Sequence, residues 1–145
     1  MAKKVKAVIF DQDGLMFDTE RLVLEGWETA AAKHNITFEK DFFRDLRGTK
    51  PDKVKEAFIR QYGPDIDFDS ICEEKRLYSY HWVKKNGAPV KPGLKELLEY
   101  LKSHNIKTAV ATASGREWTQ GNVKSAGVEG YFEFEKVATS LPMEI

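Results

Sequence analysis

Hydrophobic periodicity changes twice along this chain, and that change constrains the fold more than any other feature. Residues 5–10 are short, β-branched and largely apolar, which is typical of a buried strand in a parallel sheet. Residues 20–34 and 39–86 instead have helical spacing, without a convincing strand. Further strands are predicted at 106–112 and 131–139, with a helix between them. The pattern predicts an α/β protein with a Rossmann-like parallel sheet and an all-helical insertion.

The same changes predict where the domains begin and end. We assign residues 1–17 and 90–145 to an α/β core domain and residues 18–89 to an inserted helical domain. Within the insertion, the stretch 39–86 is predicted to be a bundle of about four helices. One of them is expected to begin at Pro51, because proline is favoured in the first turn of a helix.

Composition argues against several classes of function. Lys plus Arg equals Asp plus Glu, 23 against 23, so no overall field attracts nucleic acid or an anionic membrane. No apolar run approaches the roughly 20 residues that a membrane span needs. The single cysteine, Cys72, cannot form an internal disulfide, which favours a reducing compartment. We expect a cytoplasmic protein, monomeric, that binds neither nucleic acid nor membranes.

Two aspartates follow the first predicted strand directly. Asp11 and Asp13 are separated by one residue, and Gly14 allows a sharp turn after them. In open α/β sheets, sites lie at the carboxyl ends of the strands. One carboxylate can attack there while the other transfers a proton. The alternative is that both aspartates only stabilise a turn, since Asp is common in turns.

A second polar segment ends the next predicted strand. Thr112, Ala113 and Ser114 supply hydroxyls and small residues at a junction between strand and helix. Such a junction, with its backbone N–H groups, is suited to holding an anion. The alternative for Ser114 is a simple helix N-cap, which contributes about 1 kcal/mol. Strand packing alone does not require Thr112.

These segments together resemble a known family. The run from Phe10 to Glu20 is similar to the first motif of haloacid dehalogenase superfamily hydrolases, and Thr112 resembles the second. Residues 89–98 resemble the connector that leads from the helical cap back to the core in the β-phosphoglucomutase and phosphoglycolate phosphatase group. The insertion matches the position of the cap domain in that group.

The resemblance implies a role for each site residue. Asp11 would be the nucleophile that forms an aspartyl-phosphate, and it would bind Mg²⁺ together with the backbone carbonyl of Asp13. Asp13 would protonate the leaving group and then activate water. The implied substrate contacts are Thr112, Ala113, Ser114 and Gly14 around the phosphate, and Arg47 and Gly48 in a basic loop of the cap.

The implied reaction is hydrolysis of a small phosphomonoester, such as a sugar phosphate. Val23 and Pro51 stand where the mutase branch has a His and an Arg, and both departures favour a phosphatase over a mutase. Three alternatives stay open: β-phosphoglucomutase-type transfer, a phosphate-binding module without turnover, and phosphonate cleavage through a cap lysine.

The resemblance stops before the third and fourth motifs of the family, a Lys or Arg and a pair of acidic residues. Lys136, within the third predicted strand, is a poor substitute for that basic residue. We therefore expect the chain to be a fragment with a C-terminally incomplete core and negligible turnover by itself.

Overall fold

A computed structural model of the chain describes residues 4–132 and the backbone of Ala138 and Thr139. The chain divides into two compact units, one comprising Met1–Thr19 with Val83–Ile145 and the other Glu20–Trp82. The elements in chain order are β1 (Ala7–Phe10), α1 (Thr19–Lys33), α2 (Lys40–Asp45), α3 (Pro51–Tyr62), α4 (Phe68–Asn86), α5 (Leu94–Ser103), β2 (Lys107–Thr112), α6 (Arg116–Ser125), a 3-10 helix (Glu129–Tyr131) and β3 (Ala138–Thr139).

The first unit contains a parallel sheet, as predicted. Its described strands have the order β1-β2-β3. Phe10 pairs with Val110 at the end of β1, and Thr112 pairs with Thr139 at the end of β2. The carboxyl ends of all three strands therefore lie at one edge of the sheet, where Asp11 leaves β1.

Among the described residues, the side chains on the two faces of this sheet differ in burial. Phe10 and Val110 are buried, whereas Val5 is 57% exposed and Ile9 is 69% exposed. The prediction that residues 5–10 form a buried strand is therefore wrong for Val5 and Ile9, whose side chains the other described residues leave exposed.

The second unit is helical throughout its described residues. Its core is an aromatic cluster whose fully or nearly buried members include Trp27, Phe43 and Phe58. Their ring centroids are 5.2–5.6 Å apart, a separation at which tilted and edge-to-face aromatic pairs are favourable. Pro51 begins α3, as predicted.

Two predictions of secondary structure need correction. Residues 39–86 contain three helices, α2 to α4, and not about four. A fourth helix, α1, precedes this range. Tyr131 does not begin a strand: its carbonyl accepts a hydrogen bond from the Thr108 hydroxyl at 2.5 Å, and it ends a 3-10 helix. Residues 133–137, with Lys136, lie outside the described residues. No helix in the described part of the chain is both long and apolar enough to cross a membrane.

Candidate active site

A tight turn follows β1 and shapes the site. Gly14 has φ of 80°, a left-handed conformation that strongly favours glycine. Its N–H donates to the Phe17 carbonyl at 2.8 Å, and the N–H groups of Met16 and Phe17 donate to the Gln12 carbonyl at 3.0 and 3.2 Å. The side chains of Met16 and Phe17 are fully buried. Buried apolar anchors and backbone hydrogen bonds thus fix the two aspartates that precede this turn.

The turn is also tied to the connector before α5. The N–H of Asp18 donates to the Pro89 carbonyl at 2.8 Å, and the N–H of Lys91 donates to the Met16 carbonyl at 2.9 Å. The Lys91 ammonium lies 3.4 Å from a carboxylate oxygen of Asp18. Segments more than 70 residues apart in sequence therefore hold each other in place within the first unit.

Asp13 is held by donors from three parts of the first unit. One oxygen, Oδ1, accepts from the Thr19 hydroxyl at 2.7 Å and the Trp118 indole N–H at 3.4 Å. The other, Oδ2, accepts from the Ser114 hydroxyl at 2.5 Å and the Thr112 hydroxyl at 3.4 Å. The Gln12 amide lies 3.4 Å from both oxygens. These donors exceed the roughly four lone-pair positions of a carboxylate, so the carboxylate has little freedom to rotate.

Asp11 has a different environment from Asp13. It is exposed at the carboxyl end of β1. Its Oδ1 accepts the backbone N–H of Gln12 at 2.8 Å, which orients the side chain next to the strand end. The site therefore combines an exposed carboxylate with a second one that is held by hydrogen bonds.

The end of β2 supplies the second predicted group. Thr112 is buried, and its hydroxyl accepts the N–H of Ser114 at 3.1 Å. Ala113 is exposed and Ser114 is half-buried. The alternative reading of Ser114 as a helix N-cap is wrong, because Gly115 holds that position without a side-chain cap. The Ser114 hydroxyl instead contacts Asp13.

Three further residues of this site were not predicted as site residues. They are Thr19, Gln12 and Trp118, none of which the sequence analysis singled out. Thr19 and Gln12 are both fully or nearly fully buried polar residues, and Trp118 lies 105 residues from Asp13 in sequence. A threonine six positions after Asp13 is a local signal that could have been noticed. Nothing local in the sequence points to Trp118.

Arg47 and Gly48 lie in the second unit, and their role in substrate binding stays a prediction. The Arg47 guanidinium forms an ion pair with Glu20 at 2.7 Å, and its Nε donates to the Arg44 carbonyl at 3.2 Å. Gly48 has φ of 71° after the short helix α2. Both residues are exposed.

The donor chemistry at the end of β1 fits a hard cation. Carboxylate and carbonyl oxygens suit Mg²⁺, which commonly binds through one or two carboxylates, waters and a substrate phosphate. Asp11 and Asp13 can supply such oxygens. Among the residues that the structure describes, no group of three or more His, Cys, Asp or Glu side chains could hold a metal by itself. A metal here would therefore depend on further oxygen ligands.

Comparison with known proteins gives consistent relatives. The chain is 29% identical over 134 residues to the phosphorylated carbohydrates phosphatase of Thermotoga maritima, covering 89% of this chain and 59% of that protein. It is 28% identical over 116 residues to the β-phosphoglucomutase of Bacillus subtilis, covering 76% of this chain and 51% of the relative. The chain thus spans only about half to three fifths of these relatives.

A solved structure has the same fold. The family IA, variant 3 hydrolase from Entamoeba histolytica superposes with a TM-score of 0.76 at 23% identity, covering 97% of this chain and 64% of that chain. The profile of the haloacid dehalogenase-like hydrolases matches residues 8–144, which is nearly the whole chain. The chain belongs to the haloacid dehalogenase-like hydrolase family.

Proposed function

We propose that the protein is a Mg²⁺-dependent phosphatase that hydrolyses a small phosphomonoester, such as a sugar phosphate, through an aspartyl-phosphate on Asp11. The observation that carries the proposal is the pairing of two different carboxylates at the carboxyl end of β1: Asp11 is exposed, and Asp13 is held by surrounding donors. Named relatives that act as phosphatases support the same chemistry.

In the first step, a carboxylate oxygen of Asp11 attacks phosphorus. The bond between phosphorus and the ester oxygen breaks, and protonated Asp13 gives its proton to that leaving oxygen. The hydrogen bonds from Thr19 and Ser114 keep the Asp13 carboxyl in one orientation. Fixed orientation matters because general acid catalysis needs the donor within hydrogen-bond reach of the leaving group.

In the second step, Asp13 is a carboxylate and takes a proton from water. The water oxygen attacks phosphorus, the bond to Asp11 breaks, and inorganic phosphate leaves. Asp13 is then protonated again, so the cycle closes without another reagent. Thr112 and the backbone N–H of Ala113 are the proposed donors to the phosphoryl oxygens, and the Ser114 N–H, which donates to the Thr112 hydroxyl at 3.1 Å, orients that hydroxyl.

Bound Mg²⁺ would reduce the repulsion between an anionic carboxylate and an anionic phosphate. The Asp11 carboxylate and the Asp13 backbone carbonyl are the proposed ligands from the described residues. Mg²⁺ commonly completes its coordination with waters and a substrate phosphate, so these two oxygens need not be its only ligands.

The test compares two isosteric variants with the wild type, each made in the full-length protein. Asp11→Asn should abolish phosphate release, because an amide does not attack phosphorus. Asp13→Asn should lower kcat by about 10²–10⁴-fold, the usual contribution of general acid–base catalysis. With a good leaving group such as p-nitrophenolate, the Asp13 variant should accumulate the phosphate adduct on Asp11, which intact-mass and peptide mass spectrometry would detect.

Asp65→Asn is the matched control, because Asp65 is exposed in a loop of the second unit. It should retain wild-type turnover. An active Asp11→Asn variant would refute the nucleophile. The full-length wild-type protein could instead bind inorganic phosphate without any turnover. That result would favour the phosphate-binding module.

A further inference from the structure

Helix geometry explains why the indole of Trp118 lies beside Asp13. Trp118 is the third residue of α6, and long side chains in a helix point back toward its N-terminus. The ring therefore extends toward the segment before the helix, where Ser114 also contacts Asp13. This explains how residues four positions apart reach the same carboxylate.

The two donors hold opposite ends of the carboxylate. Trp118 contacts Oδ1, the oxygen that Thr19 also contacts, and Ser114 contacts Oδ2. A hydroxyl can rotate and can act as donor or acceptor, whereas an indole N–H is only a donor and its direction is set by the ring. The ring therefore sets the direction of the Trp118 contact, which at 3.4 Å is longer than the contacts from Thr19 and Ser114 at 2.7 and 2.5 Å.

The helix itself is firmly anchored. Thr119 and Val123 are fully buried within the first unit, and the Thr119 hydroxyl donates to the Gly115 carbonyl at 3.1 Å. Trp118 is half-buried. A fixed helix with a rigid donor in its first turn can position another side chain without any motion of its own.

We propose that Trp118 is a positioning residue for Asp13: its indole N–H keeps the carboxyl group in the orientation in which it exchanges a proton with the leaving group and with water. The inference rests on the proposed function of Asp13. Trp118 itself exchanges no proton. Its loss should therefore lower kcat and leave KM nearly unchanged, since the indole N–H is not among the proposed substrate contacts.

Nuclear magnetic resonance tests the contact without needing turnover. The protein has three tryptophans, so ¹⁵N labelling gives three indole N–H signals, and the one that disappears in Trp118→Phe is assigned to Trp118. In Asp13→Ala, this signal should move, while those of Trp27 and Trp82 stay in place. An unmoved Trp118 signal would overturn the proposal.

Kinetics tests the role. Trp118→Phe should lower kcat for a phosphomonoester by about tenfold, the equivalent of 1.4 kcal/mol in the barrier, with KM within about twofold. Trp82→Phe, another half-buried tryptophan, is the control and should keep wild-type kcat. Replacing Trp118 with 3-benzothienylalanine keeps the ring shape but removes the donor, so an equal loss of kcat would separate the hydrogen bond from packing.

The outcomes separate this inference from the proposed function. Wild-type kcat in both Trp118 variants would overturn the positioning role even if the signal moves. A full-length wild-type protein without phosphatase activity would refute the proposed function, and the positioning role in that reaction would fall with it. The resonance experiment would then still decide whether the indole contacts Asp13.

Discussion

Lys75 places an ammonium group against the aromatic core of the second unit. The side chain is half-buried, and its Nζ lies 4.9 Å from the centre of the Trp27 ring. Burial lowers the pKa of this lysine from its ordinary value of 10.5, with a smaller opposing effect from Cys72. The ring attracts the cation by about 0.5–2 kcal/mol, which offsets part of the cost of removing it from water.

The sign of the effect on stability follows from linkage. Below the folded-state pKa, Lys75 is charged in both states, and the folded protein bears the full cost of burying the charge. Between the folded-state pKa and 10.5, the unfolded chain binds more protons, so stability rises with pH. We therefore expect the unfolding free energy of the wild type, relative to Lys75→Met, to increase as pH rises toward 10.5.

Denaturant unfolding of both proteins between pH 7 and about 10 measures this difference, because the titration of other groups cancels in the comparison. Lys55→Met is the control on the same unit, since Lys55 is exposed and pairs with Asp69 at 3.4 Å. A difference between wild type and Lys75→Met that does not change with pH would contradict the assigned effect of burial.

At the scale of elements, different residues at the start of α6 cap the helix and contact Asp13. Gly115 is its N-cap, and the Ser114 hydroxyl is directed to Asp13 at 2.5 Å. Ser114→Ala should therefore cost the helix less than the roughly 1 kcal/mol of a lost N-cap. It should lower kcat by about tenfold, as expected when one charge-assisted hydrogen bond to a reacting group is lost.

Ser125→Ala in the same helix is the matched control for Ser114→Ala. The Ser125 hydroxyl accepts the N–H of Ala88 at 2.9 Å and donates to the Asn122 carbonyl at 3.0 Å. Its removal should cost about 1 kcal/mol of stability and leave kcat unchanged. Paired kinetics and unfolding measure both effects, and the reverse pattern in the two variants would contradict the assignment of Ser114.

Helix α3 contributes to stability mainly through one residue. Phe58 is fully buried, with ring centroids 5.2 Å from Trp27 and 5.0 Å from Phe68. Phe58→Ala should destabilise the second unit by about 3–5 kcal/mol, because it removes buried apolar surface and leaves a cavity. Its neighbour Ile59 is 40% exposed. Ile59→Ala should therefore cost less than about 1.5 kcal/mol in the same denaturant experiment.

At the scale of the whole molecule, the open question is phosphatase or mutase, because relatives of both kinds match the chain. Val23 packs against the aromatic core of the second unit, and Pro51 begins α3. Both residues have structural roles in this chain and lack the polar groups that the mutase branch has at these places. This favours transfer of the phosphoryl group to water.

We expect phosphate release from a panel of small phosphomonoesters and no conversion of β-glucose 1-phosphate to the 6-phosphate. A phosphate assay and a coupled assay for glucose 6-phosphate measure the two reactions in parallel. Sustained formation of glucose 6-phosphate would establish a mutase.

The predicted division into core and cap domains can be tested in the same preparations by limited proteolysis near residues 19 and 83, where the chain passes from one compact unit to the other.

Local patterns in the sequence predicted most elements and brought out Asp11 and Asp13 as candidate site residues. β2 was predicted to within about a residue and α3 was predicted to begin at Pro51, because alternation and helical spacing reflect which side chains of one segment face a core. Asp11 and Asp13 were identified because they are neighbours at the end of a strand. The first motif of the family could be recognised because its residues also lie within one short segment.

Only the tertiary structure decided which groups surround Asp13. Ser114 and Trp118 lie 101 and 105 residues from Asp13 in sequence, and no local pattern records a contact between segments so far apart. Ser114 has the residue type and the position of an N-cap, yet its hydroxyl is directed to the carboxylate of Asp13, which the sheet brings near it. Ile9 is an apolar, β-branched residue of the kind found in buried strands, yet its side chain is exposed. Burial is determined by neighbours in space and not by neighbours in sequence.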